Sequence, residues 1–166
     1  MAHARFEFEM EASAEVVFDA FHYHCWRYRW DSLVRDTQVL GGGEHPVVGA
    51  RTWNAGAGWL AALSMHTVFI SYDRPTLAAA RMEGRSFPFR RWAASMQHRT
   101  LAADRSLLIY TYSFNAGPDW LRGVMEPLVQ WVFDRQTRRR FGRLQRFVAE
   151  HRLEVESWQA TRETQP

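Results

Sequence analysis

The sequence predicts an α+β chain in which a curved antiparallel sheet of six or seven strands wraps round one long carboxy-terminal helix, leaving a hollow between them. Three observations predict it. An unbroken alternation of charged and apolar residues opens the chain and is followed by two short helical patterns. Over 64–114 the apolar periodicity is that of strands. Over 118–151 it is that of a helix throughout.

In Arg5-Phe6-Glu7-Phe8-Glu9-Met10-Glu11 the period of two turns Phe6, Phe8 and Met10 inward and leaves the charged residues to water. Ser13 sits at a helix N-cap position, with Glu15 in the first turn and Val16, Val17, Ala20 and Phe21 at helical spacing. A second short helix is predicted over 26–34, through Tyr28, Trp30 and Leu33, and the pair is expected to plug one end of the sheet. Brief strands over 37–40 and 50–54 flank Gly41-Gly42-Gly43, which reads as a hairpin loop; no Gly-Lys-Ser/Thr follows to make it a phosphate cradle. Ala55-Gly56-Ala57-Gly58 is a bend or a movable edge of the hollow.

Four long strands are expected over 63–72, 76–84, 91–101 and 105–114, with turns at Asp73-Arg74-Pro75 and Ala103-Asp104-Arg105. The loop 85–90 carries Pro88 between two phenylalanines. It is too apolar for solvent, so it folds back against the helix or over the cavity mouth. No repeat, low-complexity tract or linker interrupts the chain. Residues 1–152 are therefore expected to form a single domain, and 153–166 a poorly ordered tail.

The long helix switches faces. At about 100° per residue, Leu121, Val124, Met125, Leu128, Trp131 and Val132 share one side. Phe133, Thr137, Phe141, Leu144, Phe147 and Val148 share nearly the opposite one, while Arg135, Arg138, Arg139, Arg143 and Arg146 take over the first. Either Pro127 marks a kink, or the front half is covered on both sides by a loop, a ligand or another subunit.

Composition narrows the chemistry. The net charge of +3 rests on 21 basic residues, all arginine. The absence of lysine excludes a Schiff-base or lysine-base mechanism. Eight Trp and eleven Phe belong to an aromatic core or to an aromatic-lined cavity. Cys25 is alone, no apolar run reaches membrane-spanning length, and residues 1–10 lack the apolar stretch of a signal peptide. A cytoplasmic protein without stable membrane insertion is the expectation.

Several segments together resemble the START-like (SRPBCC) superfamily, within it the polyketide cyclase/dehydrase-like group. They are Phe6-Glu7-Phe8, Ser13-Ala14-Glu15-Val16-Val17-Phe18 before a tryptophan-bearing helix, and Tyr72-Asp73-Arg74-Pro75-Thr76-Leu77-Ala78. Ser106-Leu107-Leu108-Ile109-Tyr110-Thr111-Tyr112-Ser113-Phe114 and the closing Arg-rich helix with Leu144, Phe147 and Val148 complete the set. The resemblance spans nearly the whole chain and implies a helix-grip fold with a cavity for apolar or aromatic molecules. Such a superfamily includes lipid carriers, quinone-binding proteins, hormone receptors and polyketide cyclases, so the fold does not settle the activity. No catalytic motif is among the shared segments.

Strand alternation places Trp92, Ala94, Met96 and His98 on one face, assigned to the cavity, and Leu108, Tyr110, Tyr112 and Phe114 on one face of the last strand. With Met125, Leu128 and Val132 of the helix, the candidate ligand-binding set is Trp92, Met96, His98, Tyr110, Tyr112, Phe114, Met125, Leu128 and Val132. His98, Tyr110 and Tyr112 are the acid–base candidates; a satisfied core histidine is the competing reading. His66 has no assigned direction. Arg140 either anchors an anionic ligand group, pairs with a carboxylate or reaches water. His22-Tyr23-His24-Cys25 lacks a second ligand pair at metal-site spacing, and neither a metal nor a cofactor is expected.

The leading expectation is a small-molecule binding protein holding a lipid, quinone or polyketide-like ligand. The alternatives are a cyclase, dehydratase or aromatase, and an interaction module acting through the last helix. Nucleic acid is not an expected partner, since an arginine stripe reads first as a solvated face. A second copy of the chain, paired through the apolar front half of that helix, is the macromolecular partner considered.

Overall fold

The computed structural model describes residues 1–31, 34–56 and 64–163. Strand β1 (Ala2–Met10) buries Ala2, Phe6 and Met10 and pairs antiparallel with the last strand, β7 (Arg105–Ala116). Helix α1 (Ala14–His22) starts where its cap predicts: Ser13 is extended, and its side-chain oxygen accepts a hydrogen bond from Val16 N at 3.3 Å.

Helix α2 (His24–Trp30) is shorter than the expected 26–34. A carboxylate at a helix C-terminus opposes the dipole. Asp31 instead adopts extended backbone and turns onto Arg27 and Arg140, and β2 (Val34–Leu40) begins at Val34. Leu33 and the 57–58 part of the expected flexible edge lie outside the described residues.

The remaining strands are β3 (Arg51–Gly56), β4 (Ser64–Asp73), β5 (Leu77–Glu83) and β6 (Phe89–Ala102). Together they form one seven-stranded antiparallel sheet in the order β1-β7-β6-β5-β4-β3-β2. Register shifts at Phe69/Ser71 and Phe89/Arg91 bend it. Between β2 and β3 the glycines at 41, 42 and 43 have φ of 99°, 91° and 129°, a region that favours residues without Cβ.

After one 3-10 turn (Asp119–Leu121), helix α3 (Arg122–Glu163) runs for 42 residues through Pro127 as a single helix. The tail expected over 153–166 is thereby corrected, since 153–163 is helical. Val155 is fully buried, and the Trp158 ring packs 5.6 Å from Trp26 and 4.7 Å from Tyr23. Gln159 donates to the buried Asp19 at 2.6 Å, and Arg162 pairs with Glu44 at 2.6 Å. Val155, Trp158, Gln159 and Arg162 follow one another at helical spacing, in line with Val148, but only two of the four are large apolar residues, so hydrophobicity alone does not mark the segment as packed.

The two-faced pattern of α3 also resolves. Thr137, Phe141, Leu144, Phe147 and Val148 are buried against the sheet and α1. In the front half Met125, Val129 and Val132 face the hollow, whereas Val124 and Trp131 stand exposed, as does Trp120 just ahead of the helix.

Candidate functional site: an apolar cavity under the long helix

Why the interior is hollow follows from the register. Phe6, Tyr110, Met96 and Ala78 are consecutive partners across β1, β7, β6 and β5; Tyr112, Ala94, Ala80 and Phe69 form the adjacent row. Along the first row, side-chain size falls from ring to methyl. At the β1–β7 end rings close the core: Phe8 and Tyr110 each lie 5.0 Å from Phe141, and Tyr112 lies 4.7 Å from Phe133. At the other end Ala78, Ala80, Ala94, Thr52 and Thr67 leave room that α3 does not fill.

The result is a cavity of about 480 Å³, within the roughly 300–1,000 Å³ of small-molecule sites. Met125, Leu128, Val129 and Val132 form its helical roof, and Ser86, Phe87 and Pro88 form part of its rim. The apolar 85–90 loop thus borders the hollow, as one of its two expected placements required. The aromatic rings serve both a core and a cavity wall, since Tyr110, Phe133 and Phe141 pack at the closed end and also line the hollow.

Among the described residues, polar atoms form the smaller part of the wall. On the sheet, Thr52 and Thr67 share a hydroxyl–hydroxyl bond of 2.7 Å, and Asn54 Nδ2 donates to both at 3.3 and 3.4 Å. His22 Nδ1 lies 2.8 Å from the Phe18 carbonyl; an oxygen acceptor requires that nitrogen to carry the proton, so Nε2 keeps its lone pair. Burial holds His22 well below the ordinary imidazole range, outweighing the carbonyl's opposite pull, so the ring stays neutral. Burial also pushes the Tyr110 phenol up to about 12, against the pull of Arg140 and Arg27. At the inner end, Arg27 and Arg140 meet on Asp31. Burial pushes that carboxyl up, but the two guanidiniums more than offset it and hold the group below its usual value.

Of the expected ligand-binding residues, Trp92, Met96, Tyr110, Met125, Leu128 and Val132 line the cavity; His98, Tyr112 and Phe114 do not. His98 faces the concave side but lies deeper, under α1, edge-on to Phe18 at 5.3 Å. Neither ring nitrogen has a partner among the described residues, and burial holds the ring down to about 3. The Tyr112 hydroxyl is occupied by Asp134. Phe114 packs between Phe89 and Phe133 at 5.2 and 6.1 Å. Period-two alternation gives the face of a residue, not which end of the sheet α1 covers.

His66 points outward, whereas Met65 and Thr67 line the cavity. Arg140 takes the carboxylate pairing and also borders the hollow. Among the described residues no three His, Cys, Asp or Glu side chains gather as a metal site. Sequence reasoning missed His22 and Arg27 as cavity residues. The signals were present: His22 follows Phe18 by one helical turn, and Arg27 precedes Asp31 by four residues.

A concave sheet, a gripping helix and an apolar hollow between them define a START-like helix-grip protein. The chain belongs to the polyketide cyclase/dehydrase and lipid transport family, whose pattern it matches over residues 1–149. No curated protein sequence matches it. Among solved structures it is similar to a START superfamily protein from Mycobacterium smegmatis (TM-score 0.73, 12% identity, covering 89% of this chain and 97% of that one). It is also similar to the Zhui aromatase/cyclase from Streptomyces sp. R1128 (TM-score 0.72, 16% identity, 92% and 95%). A third similar structure is a norcoclaurine synthase point mutant from Thalictrum, bound to a transition-state analogue (TM-score 0.65, 13% identity, 91% and 96%). At these identities the likeness is one of fold.

Proposed function

We propose that this protein binds an apolar or aromatic small molecule, such as a lipid, quinone or polyketide-like compound, between sheet and α3. The observation that carries the reading is the cavity of about 480 Å³ with its mainly apolar wall. Burial of apolar ligand surface supplies most of the affinity, at about 25 cal/mol per Å² before the costs of association. Trp92 in the wall is a built-in reporter. Titration with flavonoids, quinones, fatty acids and polycyclic phenols is expected to give a saturable fluorescence change that Trp92→Phe diminishes. No saturable change with any of them overturns the reading.

A second reading, a cyclase, dehydratase or aromatase, is favoured by the meeting of His22 and Tyr110 in one cavity. His22 offers a neutral base at Nε2 and Tyr110 a phenolic donor. Product analysis with a poly-β-keto thioester mimic tests it: a ring-closed product in the wild type, lost in His22→Gln with binding retained, is the expected result. The exposed Val124 and Trp131 of α3 support, in addition, pairing with a second copy. A monomer mass by light scattering at every concentration would rule that out.

A further inference from the structure

Among the described residues, the inner end of the cavity carries more positive charge than its own carboxylate balances. Arg27 Nε at 3.0 Å, Arg140 Nε at 3.1 Å and Arg140 Nη2 at 2.5 Å all converge on one oxygen, Asp31 Oδ2. The Asp31 side chain is 1% exposed, and those of Arg27 and Arg140 are 13% and 15% exposed. Two cations thus share one anion where little water reaches, an arrangement that costs free energy unless further negative charge arrives.

The geometry leaves that place open. Both arginines line the cavity, Asp31 lies behind them, and no Asp or Glu is among the described lining residues. Both Nη atoms of Arg27 and Nη1 of Arg140 have no hydrogen-bond partner among the described residues. The two guanidiniums lie 5.0 and 4.8 Å from the centre of the Phe21 ring, which holds them in place. Tyr110 lines the same end, close enough to feel both cations, and its hydroxyl has no partner among the described residues.

We propose that the ligand is a carboxylate-bearing amphiphile. Its anionic group sits on the free nitrogens of Arg27 and Arg140 beside the Tyr110 hydroxyl, and its apolar body lies along Ala78, Ala80 and Met125 toward the rim at Phe87. A monoanion matches the one cation left unbalanced among the described residues, and guanidinium edges suit a planar carboxylate. This inference rests on the ligand-cavity reading and adds to it the chemical class of the ligand.

A matched pair of probes separates the two. 1-Pyrenebutyric acid and 1-pyrenebutanol share an apolar body and accept energy from tryptophan, so each is titrated at pH 7.5 against the same protein. The acid is expected to bind at least about tenfold more tightly. That preference is expected to fall below about threefold in Arg27→Gln and Arg140→Gln. Asp31→Asn keeps both cations and removes their competitor, so it should hold the acid at least as tightly as the wild type. The wild-type comparison needs no variant to fold. Equal binding of acid and alcohol overturns the anionic subsite and leaves the cavity reading standing. A preference unchanged in both arginine variants, or weaker acid binding in Asp31→Asn, also overturns the subsite. Binding of neither probe overturns both readings.

Discussion

Gln159 Nε2 lies 2.6 Å from Asp19 Oδ2, joining the far end of α3 to α1 across 140 residues of sequence. The same carboxylate accepts two bonds of 2.7 Å from Arg74 in the β4–β5 turn. Three separate elements therefore meet on one buried Asp19.

Ending the chain after Arg152 removes that bond, the fully buried Val155 and the Trp158 packing. Loss of at least about 2 kcal/mol is expected: full burial of Val155 contributes about 1.5–3 kcal/mol, and the partly buried Trp158 ring adds to it. Urea unfolding checks it; an unchanged midpoint would make 153–163 dispensable.

His98→Leu is expected to leave stability unchanged or raise it by about 1–2 kcal/mol at pH 7.5, because it removes two unpaired nitrogens from the core. The pH dependence follows from the same burial. An unfolded histidine titrates near 6.5 and folded His98 near 3, so between those values the unfolded state holds more protons. Stability is complete above about pH 6.5 and declines as pH falls toward 3, with a slope approaching about 1.4 kcal/mol per pH unit from this group. His22 adds to the decline in the same direction. Urea midpoints at pH 7.5 and 5 should differ less in His98→Leu than in the wild type.

The two tyrosines of β7 should behave oppositely. Tyr112→Phe breaks the bond to Asp134 and is expected to cost about 1 kcal/mol of stability, with ligand affinity unchanged. Tyr110→Phe should leave stability within about 0.5 kcal/mol and weaken a ligand bearing a hydrogen-bond acceptor about fivefold. Equal effects on affinity would contradict the placement of one hydroxyl in the cavity and the other outside it.

Ala80→Leu places a larger apolar side chain in the hollow beside Ala78 and Ala94. Binding of 1-pyrenebutanol is expected to fall at least about tenfold, while stability stays level or rises by about 1 kcal/mol. Retained affinity would move the binding site elsewhere.

The sequence by itself determined the order of elements, the faces of the strands and the gripping helix. Those depend on periods of 2 and 3.6 that neighbouring residues display directly: Phe6 and Met10 of β1, the Ser13 cap, and Phe141, Leu144 and Val148 on one side of α3. Only the tertiary structure decided depth. His98 and Met96 share a strand face, yet α1 covers one and leaves the other on the cavity. Tyr112 is occupied by Asp134, which lies on α3 22 residues away, while Tyr110 is left to the hollow. Arg27 and Arg140 come together only because α2 and α3 approach the same carboxylate. A local period records which way a side chain points; which side chains from distant segments meet there is settled by packing.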